Sequence, residues 1–332
     1  MKTKTLLLFG LHAAIGVGLS QARSLSFYWG VSILVIGMAD IFSSQNKNNQ
    51  AGFWAAYYVG MEVFLRMTGG MLSWEFGKFG FLLLLLAGIL VETRKLNFPR
   101  AYVIYFLLLI PSIFIGEYPD AEEARQQISF NLSGPLSLAG ASIYFYNRPV
   151  DANGLKTLML GLLLPLAAMA IYLIIVTPNT SDLVFTTKSN FKTSGGYGPN
   201  QVATALGVGV LLIGMALFYR FANSTSVIVD LLLMGIILFR GLVTFSRGGL
   251  IAAVITLAIM MVLALFSGRD KSRLVLYSLF FVIAASTIGY VIWDYANEAT
   301  GNLLTYRYIG INPVNNQEED ITSHRLTILE TE

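Results

Sequence analysis

Long apolar runs with few charges are the feature that most constrains how this chain can fold. The apolar residues form continuous blocks, without the alternation of β-barrel strands or the single stripe of a surface helix. Each block approaches the roughly 20 residues that a helix needs to cross a bilayer. The sequence therefore predicts an all-α fold, a polytopic transmembrane bundle of about eleven spans. They lie near 5–21, 25–42, 52–68, 79–92, 101–116, 128–146, 155–176, 201–221, 226–245, 249–267 and 274–293.

Composition excludes several kinds of chemistry. Only 12% of residues are charged, against about a quarter in soluble domains, and the net charge of +3 gives no case for a nucleic-acid partner. The chain has no cysteine, which excludes disulfides and thiolate catalysis. Its two histidines, His12 and His324, are too few for a histidine-built metal centre. We therefore expect neither a metal nor a cofactor.

Basic residues indicate how the spans are oriented. Lysine and arginine are more frequent in the short loops that face inward if the N-terminus is cytoplasmic. Residues 1–22 are either the first span or a signal peptide, because Ser20-Gln21-Ala22 resembles a cleavage site. We expect a transmembrane domain over 1–293 and the beginning of a large periplasmic loop over 294–332. No closing span follows, so we expect a truncated chain.

The segment Phe239–Leu250 joins two of the apolar runs and carries arginine at the join. Ser246, Arg247 and two glycines form this corner, and the segment contains no acidic residue. Arg240 precedes Arg247 by seven residues, which on one helix would place both on the same face. Charge at membrane depth is costly and is usually kept for function. We interpret the corner as an external anion site; the alternative is an arginine that anchors to lipid phosphates.

A glycine-rich segment, Thr193–Gln201, directly precedes another span. Asn200 is a candidate N-cap, and the free N–H groups of the helix start would suit a phosphate or a sugar. The segment lacks the Gly-Lys-Ser/Thr ending of a Walker P-loop. It is either part of a binding site, together with Lys188, Tyr197 and Gln201, or a purely structural turn.

An ionisable pair interrupts the third span. Glu62 and Arg66 are four residues apart and so share one helical face. They either neutralise each other inside the membrane or form a polar wall of a substrate cavity.

Several of these stretches together resemble one protein family. Thr244-Phe-Ser-Arg-Gly-Gly249 resembles the Ser-Arg-Gly signature of the O-antigen ligase/polymerase family. The segments Tyr58–Thr68 and Thr193–Gln201 are similar to family segments in their order and position. Ser323-His-Arg325 resembles the family's second arginine motif, with His324 where a glycine is usual. The resemblance covers most of the chain.

This resemblance implies a multi-pass protein of the bacterial inner membrane that acts in lipopolysaccharide or other cell-envelope polysaccharide biosynthesis. Family members transfer a glycan from undecaprenyl pyrophosphate to a glycan or lipid acceptor, without metal, on the periplasmic side. Arg247 and Arg325 match the two arginines that hold the pyrophosphate. The family's catalytic histidine would follow Glu332, so this chain by itself is expected to lack the base.

We therefore hypothesise a glycosyltransferase of the ligase or polymerase type, whose partners are the undecaprenyl-pyrophosphate-linked glycan, its acceptor and membrane lipids. Arg247 and Arg325 would act on the pyrophosphate. Two alternatives remain: a secondary transporter of an anionic solute, with Glu62, Arg66 and Arg240 along its pathway, and a membrane scaffold. Weaker candidates for lining the substrate cavity are Arg240, Arg66, Lys188, Tyr197, Asn200 and Gln201.

Overall fold

A computed structural model describes residues 2–93, 98–116, 118–177, 186–219, 227–267, 271–313 and 317. These residues are mostly helical, and no β-strand occurs among them, which agrees with the predicted all-α fold. The helices are α1 (Lys2–Gln21), α2 (Leu25–Ser44), α3 (Gln50–Thr68), α4 (Phe76–Val91), α5 (Arg100–Leu109), α6 (Ser112–Ile115), α7 (Ala121–Phe145), α8 (Ala152–Val176), α9 (Pro199–Phe218), α10 (Val227–Leu242), α11 (Gly248–Ser267), α12 (Lys271–Ala299) and α13 (Leu303–Ile309).

Four helices in the described part of the chain are long and apolar enough to cross a membrane. They are α2, α8, α9 and the stretch Gly248–Phe266 of α11. Helix α11 also exposes large apolar side chains along its length, including Val254, Ile259 and Phe266. Exposed apolar residues in such number are typical of a helix that faces lipid.

The chain divides into two compact units. One contains Gln21–Pro165, and the other contains Met1–Ser20 with Leu166–Glu332. This division differs from the expected boundary at residue 293, because the boundary between Pro165 and Leu166 falls inside α8.

Close helix contacts at small residues hold the unit of Gln21–Pro165 together. Helix α3 packs against both α2 and α4, and α4 packs against α7. Gly80 lies directly against the ring of Tyr58, and Gly88 lies against Ala51 of α3. Glycine lets helix backbones approach closely, which is how helices pack in the absence of a hydrophobic driving force.

The second unit is organised around α9, which packs against both α10 and α11. Gly207 of α9 lies against the backbone of Gly249, and Gly249 in turn lies against the backbone of Ala203. Any side chain larger than hydrogen at these glycines would meet backbone atoms. This contact fixes the beginning of α11 against α9 and so positions the corner that precedes it.

Candidate functional site

The corner between α10 and α11 is a tight, irregular turn. Helix α10 ends at Leu242 and α11 begins at Gly248. Between them Phe245 adopts a left-handed conformation, with φ of 58°, which is strained for a bulky residue. Arg240 and Arg247 therefore lie on two different structural elements, and the expectation that they share one helical face was wrong.

The loop before α9 is bonded to this corner. The N–H of Asn190 donates to the carbonyl of Thr244 at 2.9 Å, and the hydroxyl of Thr193 donates to the carbonyl of Val243 at 2.6 Å. Thr193 and Thr244 are fully buried. The structure thus brings together the two segments that were singled out separately in the sequence.

Asn200 contacts the corner instead of capping α9. Its side-chain oxygen accepts a 2.8 Å hydrogen bond from the hydroxyl of Ser246. Gly198 occupies the N-cap position, and Pro199 begins the helix. The N–H groups of Gln201 and Val202 both donate to the carbonyl of Gly198. The predicted cap was therefore wrong, and the helix start offers few N–H groups for an anion.

Arg247 and Arg307 bind each other's backbone segments. A terminal nitrogen of Arg247 donates to the carbonyl of Arg307 at 2.5 Å, and Nε of Arg307 donates to the carbonyl of Phe245 at 3.0 Å. Arg247 is 7% exposed. These two bonds attach α13 to the corner and place two guanidinium-bearing side chains at one location.

Tyr308 adds a phenol beside the two arginines. Its ring packs edge-to-face against Trp293 of α12, with the ring centroids 4.9 Å apart. Its buried hydroxyl has no hydrogen-bond partner in the part of the chain that the structure describes. Burial raises the pKa of the Tyr308 phenol from 10.0 to about 12, and the positive charges of Arg247 and Arg307 oppose that rise.

Arg240 is buried against the loop that precedes α9, with only 5% of its surface exposed. It donates to the hydroxyl of Thr177 and, at 3.3 Å, to the carbonyl of Thr193. Its Nε has no hydrogen-bond partner among the described residues. Arg240 therefore binds the loop before α9 through its terminal nitrogen, while its Nε–H donor stays without a partner among the described residues.

The other candidates of the same loop differ in exposure. Lys188, Asn200 and Gln201 are exposed, whereas Tyr197 is half-buried. The hydroxyl of Tyr197 is itself buried and, among the residues described, has no hydrogen-bond partner. A buried hydroxyl without a partner is costly, so Tyr197 is the candidate in this loop with most reason to contact a ligand.

Arg66 belongs to the other unit and is already engaged. It forms a 2.6 Å ion pair with Glu62, donates to the carbonyl of Trp74 at 3.0 Å and lies 4.6 Å from the centre of the Trp74 ring. This arrangement favours the self-neutralising pair over the cavity wall. Arg325 and His324 lie outside the described residues.

An apolar cleft lies within the second unit, lined by side chains of α9, α10, α11 and α12. Its volume is about 700 Å³, and Leu242 and Trp293 are part of its lining. Leu242 directly precedes the corner, and Trp293 packs against Tyr308. One lining residue of the cleft, Trp293, thus contacts the arginine cluster, which we define as Arg247, Arg307 and Tyr308.

Two members of the arginine cluster were not singled out in the sequence. Arg307 stands between Tyr306 and Tyr308, fourteen residues after the last apolar run ends at residue 293. A basic residue between two aromatic residues beyond the last span was the available signal, but it is also typical of an interfacial anchor. Only the contact of Arg307 with Phe245 distinguishes the two interpretations.

No match was found when the chain was compared with models of protein families, with curated proteins and with solved structures.

Proposed function

We propose that the chain is a membrane glycosyltransferase of the O-antigen ligase or polymerase type. It transfers a glycan from undecaprenyl pyrophosphate to an acceptor hydroxyl at the periplasmic face of the inner membrane. About eleven spans and the beginning of a periplasmic loop belong to this proposal. The proposal also includes a cytoplasmic N-terminus and an external corner, which the charge bias of the loops supports.

One observation carries the proposal: Tyr308 of the arginine cluster packs against Trp293, which lines an apolar cleft. Leu242, the last residue of α10 before the corner, also belongs to the lining of this cleft. An amphiphile with an anionic head and a long apolar tail matches both parts. A polyprenyl pyrophosphate has this character, whereas a small soluble anion would leave the apolar cleft unused.

The chemistry of the cluster suits departure of a pyrophosphate. Guanidinium groups stay charged and bind phosphate oxygens in a two-pronged geometry. The leaving pyrophosphate gains negative charge in the transition state, so fixed positive groups lower the barrier. Arg247 is held by its bond to the Arg307 carbonyl and is therefore oriented before substrate arrives. The hydroxyl of Tyr308 would donate a further hydrogen bond.

Other residues take supporting roles in this proposal. Arg240 holds the loop of Thr193 and keeps its Nε available. Tyr197, Lys188 and Gln201 would contact the glycan or the phosphates from that loop. Arg325 stays a proposed second pyrophosphate ligand on the basis of the family resemblance alone.

The test uses membranes that contain the protein, a synthetic undecaprenyl-pyrophosphate-linked oligosaccharide as donor, and a glycan or lipid acceptor with a free hydroxyl. Released undecaprenyl pyrophosphate is measured by mass spectrometry for Arg247→Ala, Arg247→Lys and Arg307→Ala. We expect Arg247→Ala to reduce turnover by about 10²- to 10³-fold, as for loss of one transition-state donor. Arg247→Lys should restore little turnover, because an ammonium group cannot bind two phosphate oxygens in the two-pronged geometry of a guanidinium group.

Arg125→Ala is the matched control, because Arg125 is an exposed arginine paired with Glu122 on α7. It should leave turnover unchanged at equal expression. If Arg247→Ala and Arg307→Ala release undecaprenyl pyrophosphate as fast as the wild type, the proposed function is wrong.

A further inference from the structure

A second cleft, polar rather than apolar, lies within the unit of Gln21–Pro165. Its volume is about 650 Å³, within the range of small-molecule sites. Three segments far apart in the sequence form its walls: the turn between α2 and α3, the end of α4, and the connection from α7 into α8. None of them contributes to the arginine cluster.

Buried polar side chains are bonded together in the wall of this cleft. Arg148 forms a two-pronged ion pair with Glu92, with N–O distances of 2.7 and 2.8 Å. Asn46 donates to Glu92 and, at 2.9 Å, to the hydroxyl of Tyr144, and that hydroxyl donates to Asn49. The side chain of Arg148 is 8% exposed. Such a network makes a rigid, preformed wall.

Several residues around the cleft have a left-handed backbone conformation. Six non-glycine residues in the described part of the chain have positive φ. Four of them, Gln45, Asn46, Asn49 and Asn147, lie in the wall or directly beside it. Asparagine adopts this conformation more readily than other non-glycine residues, so three of the four positions carry little strain, and the tight turns that they form shape the wall.

The charges of the described residues that line the cleft balance, which indicates the kind of ligand. Glu92 and Arg148 neutralise each other, and the other charged residues of this described lining are Lys47 and Asp151. Part of the remaining lining is apolar or carries threonine hydroxyls. Its exposed carboxamides, which offer both donors and acceptors, belong to Gln45, Asn48 and Asn153.

We propose that this cleft binds a neutral polyhydroxylated ligand, a saccharide or polyol, through the carboxamides of Gln45, Asn48 and Asn153. The adjacent hydroxyls of such a ligand both donate and accept hydrogen bonds, as carboxamides do, and they need no charged partner. In the described lining, a phosphorylated ligand would meet Lys47 and Asp151, whose charges largely cancel. The site is independent of the proposed glycosyl transfer.

The experiment measures ligand binding to the intact protein in detergent by saturation-transfer NMR and calorimetry. The probes are neutral hexoses, 6-deoxyhexoses, N-acetylhexosamines, their disaccharides and glycerol, with glucose 1-phosphate as the anionic comparison. We expect saturable binding of at least one neutral probe. Asn48→Ala combined with Asn153→Ala should weaken it by about ten-fold or more, as expected for two lost hydrogen bonds.

Gln127→Ala is the control, because Gln127 is an exposed carboxamide near the other end of α7 whose side chain donates to Glu123. It should bind like the wild type. The proposal is overturned if no neutral probe binds saturably, if glucose 1-phosphate binds more tightly than glucose, or if the double variant binds as well as the control. Loss of glycosyl transfer would leave this result unaffected.

Discussion

Arg247 donates a 2.5 Å hydrogen bond to the backbone carbonyl of Arg307, although the two residues are 60 positions apart. Arg307 returns a bond to the carbonyl of Phe245, two residues before Arg247. The pair therefore acts as a clasp that joins α13 to the corner between α10 and α11. The same two bonds bring both guanidinium-bearing side chains to one location.

Arg307→Ala should loosen this clasp. Loss of a hydrogen bond from a charged donor costs about 1.5–3 kcal/mol, and the strained turn at Phe245 depends on this bond. We expect faster amide hydrogen exchange over 243–247 and 303–309, measured by mass spectrometry in detergent. Arg125→Ala should leave exchange in these segments unchanged. Equal exchange in the wild type and Arg307→Ala would show that the clasp does not hold the corner.

Gly249→Ala should destabilise the contact between α9 and α11. An added Cβ would lie against the backbone of Ala203 and Thr204, which cannot move aside as a side chain can. We expect a loss of about 1–3 kcal/mol and a lower thermal midpoint in detergent. Gly235→Ala is the control, because its nearest neighbour, Ile292, would be 3.6 Å away. It should be neutral or stabilising by about 0.5–1 kcal/mol. Equal midpoints for the two variants would contradict the close contact.

Glu92→Gln should destabilise the unit of Gln21–Pro165. The substitution leaves the guanidinium group of Arg148 buried without its counter-charge, which costs about 3–5 kcal/mol. The exposed pair of Glu122 and Arg125 provides the comparison, since their side chains are 63% and 57% exposed. Glu122→Gln should not change the thermal midpoint measurably, because water screens that pair. A similar midpoint for both variants would mean that burial does not strengthen the Arg148 pair.

Tyr197→Phe should leave the stability of the fold intact and so test the role of its hydroxyl in glycan transfer. Its buried hydroxyl has no partner in the described structure, so removal should leave the thermal midpoint unchanged or raise it. Tyr144→Phe should lower the midpoint by the equivalent of about 1–3 kcal/mol, because that hydroxyl bonds with Asn46 and Asn49. If the Tyr197 hydroxyl contacts substrate, Tyr197→Phe also slows glycan transfer. Unchanged transfer would remove Tyr197 from the proposed site.

Because of Tyr308, the free energy of unfolding should fall as the pH rises above 10. Its folded pKa of about 12 lies above the ordinary value of 10.0. The folded state therefore retains the phenol proton after the unfolded state has lost it. The resulting contribution to stability is complete below pH 10 and is lost as the pH rises to about 12. Tyr308→Phe should show a smaller loss over this interval, measured by chemical denaturation in detergent. Identical pH profiles would contradict a raised pKa.

The sequence by itself determined the helical class of the fold and the position of the corner. Long apolar runs leave helix formation as the way to satisfy the backbone in lipid, and the described residues are helical where those runs lie. Ser246 to Gly249 marked the join because charge and glycine interrupt two runs at one place. These inferences depend on neighbouring residues alone.

Only the tertiary structure decided which polar residues meet. Arg247 meets Arg307, and Asn200 bonds to Ser246 instead of capping its own helix. Arg66, although a plausible cavity residue in the sequence, is paired with Glu62. The physical reason is that apolar helices show little one-sided periodicity, so the sequence does not indicate which face contacts which neighbour. The close glycine contacts of α9 with α11 set that rotation, and the rotation places the side chains of the candidate site.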